Sequence, residues 1–546
     1  MKTTIKIFPL AAILGFMSPS CSEDFITTPQ NGVENLDDYF ATAEECEAFT
    51  GSLYVGFSYW HDWWQQLLRL INETATDDAW MGNLGQDNSA YYPFAHYTVT
   101  ATNTPDGLYN FYYYKYQNIS TANTLIKRIQ DSPVSETVKN QCIGQAKFFR
   151  AYSYWELVQN FGDVVLITEP IIGTSNNNNF AMVRSPKADV YAQIVKDLKE
   201  AAELLPSEWT GVDKGRVTSG ACEALLARTY LFMGDYENAY TYADKVINSG
   251  RYALEEDFIN IWSVYNHNGK ESIFEIQANS NQSYAVGARI PTVTAARGEV
   301  WSNDDLEANK AMDGWGWCVP TSNLEQAYIS EGDDIRRKST IVKYGEPVYG
   351  DEDLNPEYKF DTSDNKSCRV WRKFYVPIAM RQELAAAGKI DGKVPLDLIC
   401  IRLAEMYLTR AEAAYYKGET AQALADINTI RARVGLSAKT GISGNDLLYA
   451  IWKERRLELA GEGMRLYDLR REIDPVQNKP RIACVMGENG EFVRYNATST
   501  DEWEVKNTKE PSNEGHLFVE GRHELWPIPQ AEIDRSNGSI SQNPGY

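Results

Sequence analysis

The chain is poor in histidine and in positive charge, and these shortages exclude much of ordinary enzyme and nucleic-acid chemistry. Five histidines occur in 546 residues (His61, His96, His267, His516 and His523), with no two at the helical spacing that lets a pair hold a metal ion. Eight cysteines show neither a CxxC pair nor a regular spacing, so neither a zinc site nor a disulfide framework is indicated. With Cys21 set aside, the odd remainder leaves at least one thiol free. Cys142 and Cys222 fall in helical segments, where a buried thiol acts as a small hydrophobe, and one disulfide stays open. GxSxG, HExxH, GxGxxG and the phosphate loop are all missing. Lys and Arg number 53 against 75 Asp and Glu, a formal charge of −22, which is a poor surface for phosphate backbones. Polyanionic glycans are repelled too, but only within a Debye length. Nor is any stretch long and apolar enough to cross a bilayer as a helix.

What the chain does have is a helical repeat. RLAEMYLTRAEAAYYKGETAQALADINTIRARVGL begins at Arg402 and puts Ala411, Ala414 and Ala423 where two antiparallel helices must touch. Gly418 occupies the turn, and Thr420 is read as an N-cap. Ala423, Ile427, Ile430 and Val434 recur at three- and four-residue spacing before Gly435 stops the helix. This is the tetratricopeptide pattern, a helix pair of about 34 residues. GACEALLARTYLFMGDYENAYTYADKVINSG reproduces it with Ala227, Tyr230, Gly234, Ala239, Ala243, Val246 and Gly250. One pair cannot bury its apolar face alone, so further helices are expected. Lys147–Phe161 and Asp189–Leu205 read as another pair, separated by an Asn-rich surface loop, and Leu108–Ile129 as one more helix.

The N-terminus reads as an export leader. Residues 1–20 carry Lys2 and Lys6 and then an apolar run, IFPLAAILGFM, too short to span a bilayer. Cys21 follows Ser18-Pro19-Ser20 in the manner of a loose bacterial lipobox, and Ser22-Glu23-Asp24 adds an acidic start. Acyl chains on Cys21 would tether the protein, each buried methylene adding about 0.8 kcal/mol.

Glu454, Glu458 and Glu462 recur every four residues, interleaved with Arg455 and Arg456. Carboxylates among arginines are ion-paired and held charged, so Arg455, Arg456, Glu458, Asp468 and Arg470 read as a structural charge network rather than an acid–base pair. The run Asp351-Glu352-Asp353 lacks the glycine and terminal glutamate of a calcium loop and reads as a solvated loop.

Five ordered blocks together resemble the SusD/RagB family of surface nutrient-binding lipoproteins of Bacteroidetes. They are CSEDFITTP, NFGDVVLITE, the RLAEMYLTRAEA…ALADINTIRARVGL repeat, KERRLELAGEGMRLYDLRR and LWPIPQAEIDRSNGSISQNPGY. The resemblance runs almost end to end. It implies a mainly α fold: tetratricopeptide-like helix pairs form a scaffold, and a loop-rich side carries a few short strands. Behind a leader at 1–20, residues 21–546 form a single SusD-like unit, with scaffold at about 108–260 and 395–475. The ligand-facing loops fall at about 72–107, 261–394 and 476–546. The resemblance also implies an outer-membrane position exposed on the cell surface, a lipid anchor on Cys21, and a SusC-like TonB-dependent transporter as partner. No cofactor, no metal and no catalytic residue is implied.

Aromatic residues carry the functional expectation. Fourteen Trp and 33 Tyr exceed what a helical core requires, although Tyr230, Tyr407 and Tyr415 sit at repeat positions and read as packing. A pyranose offers a face of weakly positive C–H groups to the negative face of a ring. Trp and Tyr platforms with amide or carboxylate rims therefore make a sugar site with no catalytic group. Three loops fit: Thr76–Asn83, offering Trp80 and Asn83; Ser280–Trp301, offering Tyr284 and Trp301; and AMDGWGWCVPTSNL, offering Trp315. In the last, Gly314, Gly316 and Pro320 resemble a family turn, which assigns Trp317 to the core. The leading expectation is capture of oligosaccharides or polysaccharides for the transporter. The alternative is a RagB-like lid that captures peptides. A glycoside hydrolase is the weaker reading, resting on Asp77, Asp78, Asp304 and Asp305 beside the aromatic loops.

Overall fold

A computed structural model describes residues 39–58, 70, 72–82, 92–102, 106–171, 182–279, 287–298, 314–360, 367–387, 394–488, 490–492 and 518–546. It is mainly helical. The N-terminal array comprises α1 (Ala43–Ser58), α2 (Asp106–Arg128), α3 (Glu136–Phe161), α4 (Lys187–Leu204), α5 (Ser219–Met233) and α6 (Tyr236–Ile247). Consecutive members pack on one another from α2 to α6, and α1 lies across α2 and α3. After a region of short elements come α7 (Ser322–Glu331) and α8 (Asp334–Thr340). The array then resumes with α9 (Leu403–Tyr416), α10 (Thr420–Arg433), α11 (Gly444–Leu459) and α12 (Arg465–Arg471). Helix α9 packs on α6, which joins the two stretches of repeat into one stack.

Local chemistry sets the helix ends. Ser135, Thr218 and Asp235 accept from the backbone N–H groups of Val138, Ala221 and Asn238, each cap contributing about 0.5–2 kcal/mol. Gly234 and Gly418 take positive φ in the turns of the two repeat pairs, where a β-carbon would be strained. Thr420 is not the cap it was expected to be. The helix begins at Thr420 itself, with Glu419 at the cap position and no side-chain cap bond. The first helix of the middle pair also starts earlier than its apolar pattern suggested, at Glu136 rather than Lys147.

Ala411, Ala414 and Ala423 are wholly buried at the α9–α10 contact, with Ile427 and Ile430 in the same apolar cluster. The largest cluster draws on residues from Phe40 to Ile540. The C-terminal residues are tied into it: Trp526 is fully buried, and Asn543 Nδ2 donates to the carbonyls of Phe161 and Trp526 at 3.0 and 2.7 Å.

Among the described residues the strands are few and short. Antiparallel pairs join β1 (Ala79–Trp80) to β3 (Val319–Pro320), β2 (Ser272–Ile276) to β6 (Leu398–Arg402), and β4 (Ile341–Lys343) to β5 (Arg369–Trp371). All seven described cysteines are free; Cys368 is half-buried and the other six are buried. Cys21 lies outside the described residues. No described helix is long and apolar enough to cross a membrane.

The carboxylates of Glu454, Glu458 and Glu462 are ion-paired as expected. Their partners come from other elements rather than from the interleaved Arg455 and Arg456, and Glu462 lies beyond the helix end at Leu459. Glu458 meets Arg336 at 3.1 Å, Arg402 at 2.6 Å and Arg433; Glu454 meets Arg336 and Arg431; Glu462 meets Lys373 and Arg402. Burial alone would raise Glu458, and the three guanidiniums outweigh it and hold its carboxyl well below the usual range. Arg455 pairs with Asp468 at 2.8 Å. Arg470 departs from the pattern: it donates to the carbonyls of Gln159 and His523 and lies over the Trp526 ring.

Candidate functional site

A wall of distant segments holds the Trp315 region. Trp315 N donates to Thr292 O at 3.0 Å, Gly316 N to Ala295 O at 2.8 Å and Trp317 N to Val293 O at 2.9 Å. Arg297 Nε closes the strap on Trp315 O at 2.9 Å. Two glycines permit the approach. A β-carbon on Gly314 would sit 2.2 Å from Ala295 O, and one on Gly82 2.1 Å from Gly316 O. On the far side Cys318 N donates to Met81 O, and Trp80 pairs in register with Val319.

Within this wall Trp315 and Trp317 are both half-buried, their ring centroids 4.9 Å apart and their planes inclined by 58°. Trp317, assigned to the core from sequence, does pack against the largest apolar cluster, as Trp315 does, and the two rings also form an aromatic pair. Trp80 is more deeply buried. Its indole is 7% exposed, packed with Val319, Val342, Tyr358, Phe360 and Tyr375, and edge-on to His96 at 6.0 Å. A ring so enclosed offers no face to a ligand, so the platform expected of Trp80 is corrected to a core role. Asn83, Tyr284 and Trp301 lie outside the described residues. Gly82 and Gly298, the described residues nearest to Asn83 and Trp301 in the chain, belong to segments strapped to Gly316 and Trp315 respectively.

The wall is pinned to the scaffold by charge. Asp77 and Asp78, buried at its base, meet Arg456 of α11 at 3.0 and 2.6 Å, and Asp77 meets Arg465 of α12 at 2.9 Å. Thr321 Oγ1 donates to Asp77 O. Burial would raise Asp77, but the guanidiniums of Arg456 and Arg465 outweigh it and take it down to about 2. Glu73 is pushed up to about 8, by burial first and then by the Asp78 carboxylate. Both carboxylates are buried and ion-paired to arginines of the scaffold, which ties the wall to it. Asp304 and Asp305 lie outside the described residues. Asp351 acts as a local acceptor, taking bonds from the Tyr375 hydroxyl at 2.8 Å and Ile378 N at 3.1 Å.

A second aromatic surface was not singled out as a site from sequence. The run YNFYYYKY on α2 places Tyr112 and Tyr116 inward, while Tyr113 is 37% exposed. These tyrosines line a groove of about 230 Å³ with Gln117, Ser120, Ile167 and Arg535. The signal lay in the crowding of that helix, whose tyrosines exceed what one buried stripe can take.

Stacked helix pairs, with a hydrogen-bonded wall that carries a half-buried tryptophan pair, define a helical-repeat protein. The chain belongs to the SusD family, which it matches over residues 270–546. Residues 58–231 match a second family described as starch-binding and associating with the outer membrane. SusD-like protein P2 of Formosa agariphila is 27% identical over 94% of this chain and 95% of its own length. A SusD-like protein of Bacteroides ovatus is 26% identical over 86% and 82%. Among solved structures, a laminarin-binding SusD-like protein superposes with a TM-score of 0.73 at 26% identity, covering 93% of this chain and all of that one. Surface glycan-binding protein A of Bacteroides thetaiotaomicron in complex with laminarihexaose has the same fold, with a TM-score of 0.71 at 20% identity over 92% and 99%.

Proposed function

We propose that the chain captures neutral oligosaccharides or polysaccharides at the cell surface and hands them to a SusC-like TonB-dependent transporter. It acts as a single unit from residue 21 onward, anchored in the outer membrane by lipid on Cys21, and breaks no bond. The observation that carries the reading is the Trp315–Trp317 pair, partly open on a wall that hydrogen bonds and ion pairs hold in place. A preorganised platform loses little freedom on binding, so stacking on a sugar face yields useful affinity without a deep pocket. Trp315 forms the platform, and Trp301, Tyr284 and Asn83, which lie outside the described residues, are the further ligand contacts proposed from the sequence. The laminarin-binding relative makes a neutral glucan the first ligand class to test.

The test is native-gel retardation of the chain from Ser22 to Tyr546 in gels cast with laminarin, starch, xylan and mannan. Retardation by a neutral polysaccharide, lost in Trp315→Ala and in Trp301→Ala, supports capture at this wall. No retardation by any of them, together with binding of mixed peptides in solution, turns the reading to the peptide-capturing alternative.

A further inference from the structure

Helix α2 presents two adjoining stripes to the groove beside it. Tyr112, Tyr116, Ile119 and Asn123 form the inner stripe at spacings of three and four residues. Tyr116 donates its hydroxyl to Val165 O at 2.8 Å, and Asn123 Nδ2 donates to Ile167 O at 3.1 Å, so the floor is fixed to the strand-like segment that follows α3. The outer stripe is Tyr109, Tyr113, Gln117 and Ser120, of which the last three line the groove. Tyr109 and Tyr113 are nearly parallel, with centroids 6.1 Å apart and planes inclined by 22°.

The opposite bank comes from the C-terminal residues. Glu532 and Arg535 pair at 2.6 Å, and Arg535 lies over the Tyr109 ring at 5.7 Å. Ser539 Oγ donates to Met182 O at 2.9 Å and ties that bank to the segment leading into α4. Residues from 112–123, 165–182 and 532–540 thus converge on one groove, which shares no lining residue with the Trp315 wall.

The lining narrows the ligand. At about 230 Å³ the groove falls below the roughly 300–1,000 Å³ usual for drug-sized ligands, and suits one or two rings. Ring faces and the neutral groups of Gln117 and Ser120 fit C–H faces and hydroxyls. Among the described lining residues the charged ones are Glu169, Glu532 and Arg535, and the last two pair with each other; Arg184 acts on Tyr112 and Tyr116 from nearby. Such a surface disfavours an anion and offers little to a strongly cationic segment.

We propose that the Tyr113 groove is a second carbohydrate-contact site, holding one or two pyranose rings of a neutral polysaccharide whose main contact is the Trp315 wall. The proposal rests on the glycan-capture reading above. Two contacts on one long chain raise the effective concentration of each, so polysaccharide is held more tightly than either site alone allows. A short oligosaccharide engages one site at a time and gains nothing.

The experiment compares wild type, Tyr113→Ala and Ser120→Trp, the last filling the groove without removing an aromatic platform. Each is run in native gels against the polysaccharide that retards the wild type, and titrated calorimetrically with a hexasaccharide of the same linkage. Tyr113 and Ser120 are exposed, so melting temperatures are expected to stay within a degree or so of wild type. The expected result is an apparent polysaccharide affinity lowered about tenfold in both variants, with hexasaccharide affinity at the Trp315 wall unchanged. Equal retardation of wild type and both variants overturns the second site and leaves capture at the wall intact. No retardation of wild type by any polysaccharide overturns both.

Discussion

Arg456 of α11 donates from Nε to Asp78 Oδ1 at 2.6 Å and so couples the repeat scaffold to the loop wall that carries the aromatic residues. Asp78 is wholly buried, and Arg465 stands 4.0 Å from its other oxygen. Removing one member of such a pair leaves a charge in the interior with weakened compensation, at a cost of about 3–5 kcal/mol. Arg456→Ala is therefore expected to lower stability by about that amount, read from urea unfolding midpoints. The double variant Arg456→Met with Asp78→Asn should recover part of it. If Arg456→Ala unfolds at the wild-type midpoint, the pair does not hold the wall.

The acid beneath the same wall gives stability a pH dependence of definite sign. Glu73 is raised to about 8 by burial and then by Asp78, so the fold holds a proton that the unfolded chain releases above about 4.5. Its contribution is complete below that value and disappears as pH rises through 8. Glu275 and Glu472, also raised to about 8, carry the same sign. Asp77 behaves oppositely, contributing above its ordinary value and losing that contribution as pH falls toward 2. Lys373, lowered to about 8 by burial, adds a slope only above that pH. Unfolding midpoints should fall between about pH 5 and pH 8, and Glu73→Gln should make the decline shallower. An unchanged slope in that variant would show that Glu73 does not carry the proton.

The repeat contact makes a packing prediction. Ala423 has no exposed surface and shares an apolar cluster with Ala411 and Ala414 of α9. Ala423→Leu adds volume at a closed contact and should cost about 1–3 kcal/mol, or more if the helices must separate. Thermal unfolding followed by circular dichroism reads it. Ala→Leu at exposed Ala421 on the same helix should have almost no effect.

That contact also shows why the scaffold was legible. Small residues at fixed offsets and glycines in the turns are local signals, and they placed the pairs α5–α6 and α9–α10 within a few residues. Interleaved Glu and Arg on α11 announced ion pairing equally well. The wall was less legible because its bonds are not local. Trp80 is buried through a two-residue strand whose partner, Val319, lies far along the chain, and nothing around residue 80 announces that pairing. Trp317 reads as core and Trp315 as platform, and the structure leaves both half-buried against the largest apolar cluster. The Tyr113 groove needed the C-terminal bank, which no pattern on α2 foretells.

Anchoring makes a prediction independent of the fold. If Cys21 carries acyl chains, the mature chain sediments with membranes and leaves them only with detergent. Cys21→Ser should move it to the soluble fraction, or leave it as an uncleaved precursor. Each methylene of the chain adds about 0.8 kcal/mol, so losing a whole acyl group is a large effect rather than a graded one. Unchanged membrane association in the variant would assign the anchor elsewhere.

Trp80 and Trp315 separate stability from binding. Both are tryptophans of the same wall, yet Trp80 is enclosed among Val319, Val342, Tyr358 and Phe360, whereas Trp315 is half open beside Trp317. Truncating the enclosed ring leaves a cavity, and Trp80→Ala should cost about 3–5 kcal/mol. Truncating the open one removes a platform and only part of a core contact, so Trp315→Ala should cost much less. Glycan retardation should vanish in Trp315→Ala at temperatures where the protein is fully folded. In Trp80→Ala, binding should survive wherever the fold does and fall away along its own melting curve. Equal destabilisation of the two variants, with binding lost only on unfolding, would make both tryptophans structural and place the ligand on another surface.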